Sequence, residues 1–149
     1  MAKFVYRMQN ILDIKQKLEE QEKANLGLAT ARYNEEQMKL REVIKRQADY
    51  ERQLRDLSLG TLNINEIKSC KQSITSMKVL VRDQMIAVSK AQKQMEAVRK
   101  RLNEVMMDRK MHEKLREKEF DKFLQELNYE EGKLTDELVS YTYFNTEEE

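Results

Sequence analysis

Few residues in this chain could carry chemistry. His112 is the only histidine and Cys70 the only cysteine among 149 residues, while carboxylates and cations abound at 27 and 28. A lone histidine with no cysteine or second histidine near it in sequence is neither a metal set nor a poised general base. It reads as an ordinary helix histidine. Cys70 cannot form an intrachain disulfide, and its seven-residue spacing from Met77 places it in an apolar stripe as a small hydrophobe. There is no glycine-rich phosphate loop and no Ser/His/Asp set. The carboxylates need an enclosed pocket to shift their pKa, and a pattern of long helices supplies none. The sequence therefore argues against an enzyme and calls for no metal and no cofactor.

Charge is distributed unevenly. Between Lys68 and Arg101 stand nine Lys or Arg against two acids, Asp83 and Glu96; from Asp121 onward there are two basic and nine acidic residues. Phosphate binding by the basic stretch is the competing use. No Phe or Tyr falls between Tyr50 and Phe120, so nucleobases would have no stacking platform there, and the net charge is only +1. Nucleic acid is not the expected partner. Most of this charge reads as solvated face, and its polarity would also steer different partners to different ends. Of the nine methionines, Met77 and Met95 fall in the stripe, and Met106, Met107 and Met111 offer an adaptable surface.

The elements that must position these residues are helices. Proline is absent, glycine occurs three times and DEKR makes up 37% of the chain. That profile fits long helices or a coiled coil, and recurrent apolar spacing decides against disorder. The one convincing break is Ser58-Leu59-Gly60-Thr61-Leu62-Asn63-Ile64-Asn65-Glu66. Gly60 suits a left-handed helix end, and Asn63 with Glu66 resembles a capping box. The spacing predicts a single all-α domain over 1–149, an antiparallel coiled-coil hairpin. Its parts are a helix over 4–57, a turn over 58–65, a longer helix over 64–141 and a frayed tail over 142–149.

In the first helix Tyr33, Leu40, Gln47 and Leu54 alternate with Glu36, Val43, Tyr50 and Leu57 as a heptad stripe with polar interruptions. Nearer the start the stripe reads Ile11, Ile14, Leu18, Glu22 and Leu26, a drift toward an 11-residue pattern. Gly27 costs about 1 kcal/mol relative to alanine and reads as a tolerated glycine. In the second helix Ile67, Ile74, Val81, Val88, Met95 and Leu102 step by seven, with Cys70, Met77, Gln84, Ala91, Val98 and Val105 between them. Past Val105 the phase is read as slipping through Arg109, His112, Arg116 and Phe120. It resumes as Phe120, Leu124, Leu127, Glu131, Leu134, Leu138 and Tyr141.

At a rise of ~1.5 Å per residue the helices would span about 80 and about 115 Å. Folding about residue 61 places Leu18 opposite Leu102 to Val105 and brings Phe4 and Tyr6 to Phe120. Residues 121–141 then overhang with an exposed apolar stripe, which implies a partner. No run approaches the ~18 apolar residues of a membrane helix, and the opening residues carry charges that exclude a signal peptide. A cytoplasmic protein without direct membrane insertion is the expectation.

Three stretches carry a family resemblance. The opening Lys3-Phe4-Val5-Tyr6-Arg7-Met8-Gln9-Asn10-Ile11-Leu12-Asp13-Ile14, followed by Glu19-Glu20, resembles the start of the bacterial flagellar export protein family FliJ. So do Asp108-Arg109-Lys110-Met111-His112-Glu113-Lys114-Leu115 and Glu130-Glu131-Gly132-Lys133-Leu134-Thr135-Asp136-Glu137. Length, central turn and two-helix plan agree over essentially the whole chain. The middle departs, with Ile67 and Cys70 at positions expected to be aromatic.

The resemblance implies a non-enzymatic component of the flagellar type III export apparatus, similar to the central stalk of rotary ATPases. Its partners would be the hexameric export ATPase and its regulator, the cytoplasmic domain of the membrane export gate, and export chaperones that it escorts. The location implied is the cytoplasmic face of the cell membrane. The ring contact expected on this basis is the terminal end, with Phe4, Tyr6, Phe120, Leu124, Leu127, Leu134, Leu138 and Tyr141. Positions matching the family's gate contacts are Val43, Tyr50, Cys70, Ile74, Met77 and Val81, several of them also in the seam. The alternative is an unrelated cytoplasmic coiled-coil scaffold or homodimeric adaptor.

Overall fold

Good helix formers without proline give helix nearly everywhere the chain permits it. The computed structural model describes residues 3–147, and among these it holds two helices: α1, Gln9–Ser58, and α2, Ile64–Glu147. They form an antiparallel hairpin whose second helix is the longer. Contacts cluster in two compact units. One comprises the residues through Glu19 with those from Glu104 onward, and the other is Glu20–Asn103.

The helix ends differ from expectation in three ways. First, α1 begins at Gln9 rather than residue 4. The segment before it is non-helical and closes with a bond from the Gln9 amide to the Tyr6 carbonyl at 3.2 Å. That path lets Tyr6 be buried and Phe4 meet α2, which continuous helix from residue 4 was not required to do. Second, the turn uses no left-handed residue, since Gly60 has no positive φ. Instead the Leu59 amide bonds to the Asp56 carbonyl at 3.2 Å, and the Ser58 hydroxyl donates to the Leu54 carbonyl at 2.9 Å. Residues 59–63 are numerous enough to reverse the chain without that device. Third, of the tail expected to fray over 142–149, residues 142–147 continue the helix, with no proline or further glycine to stop them, and 148–149 lie outside the described residues.

The start of α2 follows the capping logic. Asn63 Oδ1 accepts from the amides of Asn65 at 3.2 Å and Glu66 at 3.4 Å, while its carbonyl accepts from the Ile67 amide at 3.0 Å. Asn63 therefore satisfies amides that would otherwise lack a partner at the helix start.

The unit Glu20–Asn103 has an apolar seam. Cys70, Ile74 and Ala91 are buried, and Tyr33, Leu40, Val43, Tyr50, Met77, Val81 and Val88 are half-buried at the expected heptad positions. Two of the polar interruptions, Glu36 and Gln84, have a partner in each other. Gln84 Nε2 donates to the Glu36 carbonyl at 2.9 Å and to its carboxylate at 2.5 Å. A polar pair within an apolar seam fixes the alignment of the two helices, because any slip would bury both groups unpaired.

Candidate interaction surfaces

The unit that carries the chain ends is built differently. Sequence periodicity predicts Ile11, Ile14 and Leu18 inside, yet they are 39%, 56% and 37% exposed, while Leu12 and Glu19 are 3% and 5% exposed. The heptad running backward from Tyr33 through Leu26 passes through Glu19 and Leu12 without a slip. The register persists; its chemistry changes from apolar to charged. Glu19 is tolerated because Arg109 reaches it, with Nε against one carboxylate oxygen and Nη2 donating to the other at 3.4 Å. Arg109 Nη1 also lies 2.8 Å from Glu113, and Lys15 pairs with Asp108 at 2.6 Å. A charge buried in a seam without its counterpart is unfavourable, so the charges enter together.

The same pairs explain α2 past Val105. Arg109 and His112 stay in phase with the seven-residue steps and are half-buried, so no slip occurs there. His112 Nε2 stands 3.6 Å from Asp108. The hydrogen bond from Lys15 holds the Asp108 carboxyl below its ordinary value against a smaller desolvation effect, with the positive fields of Lys15 and His112 adding to it. Hydrogen bonds to Glu113 first and Glu19 second raise Arg109 above the ordinary guanidinium value. Among the described residues no group of three or more His, Cys, Asp and Glu is placed to hold a metal ion.

Outward from this charged block, aromatic rings close the seam. Phe4 meets Phe120 edge to face with centroids 5.1 Å apart, and Phe123 lies 5.5 Å from Phe4. Arg116 covers the Phe4 ring at 5.9 Å and donates through Nε to the Gln9 side chain at 3.0 Å. Tyr6 is buried and shares a hollow with Leu115 and Glu119. Of the residues expected at the terminal end, the structure thus brings Phe4 and Phe120 together, and buries Tyr6. Phe123, which the apolar stripe passed over, is the missing member. Its signal was the unbroken heptad, which continues from Arg109 through Arg116 to Phe123.

Past Leu127 nothing packs on α2, and every described residue from Asn128 to Glu147 is exposed. Leu134, Leu138 and Tyr141 are 60%, 66% and 68% exposed, with Val139, Tyr143 and Phe144 equally bare. A second edge adjoins the leucines. The Thr135 hydroxyl donates to the Glu131 carbonyl at 2.9 Å, Thr142 to Leu138 at 2.8 Å and Thr146 to Tyr143 at 2.8 Å. With their hydroxyls turned back onto the helix, Thr135, Thr142 and Thr146 line a shallow groove with Leu138, Val139 and Tyr143.

The residues matched to gate contacts sit together near the turn but face inward. Cys70 and Ile74 are buried, and Val43, Tyr50, Met77 and Val81 are half-buried. The Cys70 thiol donates to the Tyr50 carbonyl at 3.2 Å. Their shared role in this fold is to pack the two helices.

No helix among the described residues is long and apolar enough to cross a membrane. Comparison with curated proteins and with solved structures gave no match. A protein-family model described as flagellar FliJ protein matches residues 4–148, nearly the whole chain. Hairpin, charged seam and bare helical extension thus belong to one matched span: the chain is a member of the flagellar FliJ family, helical proteins related to flagellar export.

Proposed function

We propose that this protein is a non-enzymatic stalk of the flagellar type III export apparatus. It links the hexameric export ATPase and its regulator to the cytoplasmic domain of the membrane export gate and escorts export chaperones. It works in the cytoplasm, peripheral to the membrane. The observation that carries this reading is the apolar, acidic extension of α2 beyond Leu127, exposed along its whole described length. An apolar surface of that extent on a charged helix calls for a partner.

In this reading Leu134, Leu138 and Tyr141 enter the ATPase ring, and Phe120, Leu124 and Leu127 form the collar at its mouth. Phe4 and Tyr6 brace that collar from beneath, through the ring contacts of Phe4 and the burial of Tyr6. At the other end, Val43, Tyr50, Cys70, Ile74, Met77 and Val81 shape the surface offered to the gate. The half-buried Val43, Tyr50, Met77 and Val81 supply its accessible edges.

The test is a chain ending at Leu127, which keeps Phe4, Phe120 and Phe123 in place. Its hairpin should melt as the full chain does, while stimulation of the partner ATPase is lost. Leu134→Asp with Leu138→Asp in the full chain should have the same effect. Full stimulation by either protein would overturn the terminal-end assignment.

A further inference from the structure

The side of α2 turned away from α1 carries a pattern that the hairpin does not use. Val79 lies two residues after Met77 and two before Val81, both in the seam. At about 100° per residue it therefore points to the opposite side. Ile86, between Gln84 and Val88, occupies the same outward line one heptad on, and Lys93 and Lys100 continue it. Val79 is 55% and Ile86 52% exposed. Arg82 stands between them and Lys90 one turn beyond Ile86; both are exposed, as are Lys93 and Lys100. None of these four cations makes an ion pair among the described residues.

Folding does not account for the two apolar members of the row. β-Branched residues are weaker helix formers than Ala, Glu or Lys, and at these positions they gain no burial to offset that. Single exposed hydrophobes are ordinary, but here two are aligned a heptad apart and continue into unpaired cations. Valine and isoleucine also offer nothing to a phosphate backbone.

We propose that this outward row, from Val79 to Lys100, is a docking surface for an acidic amphipathic helix of a partner protein. Apolar side chains of the incoming helix cover Val79 and Ile86, and its carboxylates meet Arg82, Lys90, Lys93 and Lys100. Helices pair when apolar positions recur every seven residues and flanking charges complement each other, and this face supplies one half of both. The inference does not rest on the ring or gate assignments, since none of the residues placed there belongs to the row.

The experiment uses the full chain and a labelled synthetic helix of about three heptads. The peptide carries leucine once per heptad and glutamate on the flanks. Fluorescence anisotropy should show binding at about 50 mM salt that weakens at least tenfold at about 500 mM, as screening predicts. Ile86→Ser and the pair Lys93→Glu with Lys100→Glu should each weaken it about tenfold or more, with helix content and melting unchanged. A peptide with lysine in place of glutamate should bind the charge-reversed protein instead. Three results would overturn the proposal. They are no binding at low salt, equal binding by the substituted proteins, and preference of the face for duplex DNA over the peptide. Self-association abolished by the same substitutions, in place of peptide binding, would assign the face to a second copy and overturn it equally.

Discussion

The two compact units hold α1 against α2 by different chemistry. Between Glu20 and Asn103 the seam is mostly apolar, and the Glu36–Gln84 pair is the polar interruption bonded across it. In the unit with the chain ends, Leu12 and Tyr6 are buried alongside Glu19, and the ion pairs of Arg109 and Lys15 stand where aliphatic contacts would be expected. Apolar seams give most of the stability, because burial is favourable in proportion to area and tolerates small shifts. Charged seams give less net stability but penalise any misalignment, since each displaced ion is left buried and unpaired. The difference shows one stretch relying mainly on apolar burial, with a polar pair to set its alignment, and the other relying more heavily on paired charge.

The strongest tests strike the apolar positions of both units. Ile74→Ala and Leu12→Ala remove well-buried side chains, and each should cost about 2–4 kcal/mol in chemical denaturation. A negligible effect of Leu12→Ala would mean that the terminal unit owes nothing to its apolar residues, and the contrast would have to be redrawn. Next comes the charged block. Arg109→Leu removes the guanidinium that faces buried Glu19 and should lower the unfolding midpoint, whereas Arg109→Leu combined with Glu19→Leu should recover it or exceed the parent. Additive losses in that cycle would show that the two residues act separately.

Acid titration separates the units further. The Asp108 pKa is lowered in the folded state, so its stabilising contribution is complete above the ordinary carboxylate value. It is lost as pH falls through the lowered one. Unfolding midpoints of the parent should therefore fall below about pH 4 more steeply than those of Lys15→Met, in which the pKa returns toward normal. Identical acid limbs would contradict the assigned pair. The smallest effects concern glycine. An added Cβ at Gly27 meets nothing, so Gly27→Ala within α1 should stabilise by about 0.5–1 kcal/mol. Gly60→Ala is equally unobstructed and has no left-handed strain to create, so its melting shift should be still smaller. A marked loss at Gly60 would restore the turn role that its backbone does not show.

Most of the architecture was legible because its signals are local. The Asn63 cap and the unbroken steps from Ile67 to Leu102 place the turn and the seam without reference to the rest of the molecule. What the sequence concealed was the terminal block. There Ile11, Ile14 and Leu18 are apolar but outward, and Lys15 and Glu19 are charged but inward, so hydrophobicity pointed to the wrong face. Holding the heptad strictly from Tyr33 back to Leu12 would have found the true line. The opposing Asp108 and Arg109, distant in sequence, help make that line physically acceptable. Gly60 misled for a different cause. A glycine after a helix suggests a left-handed residue, but a loop of this length leaves the chain free to turn by other means.

The back-bonded threonines of the α2 extension set the manner of any contact made there. Hydroxyl groups that face solvent offer directional bonds, and a partner gripping them would be held at particular angles. Here Thr135, Thr142 and Thr146 spend their protons on their own helix, leaving methyl groups outermost beside Val139. Adhesion through methyl groups depends on covered area and hardly on orientation. That edge of the helix therefore offers an apolar strip whose adhesion to any surface would depend little on the angle of approach.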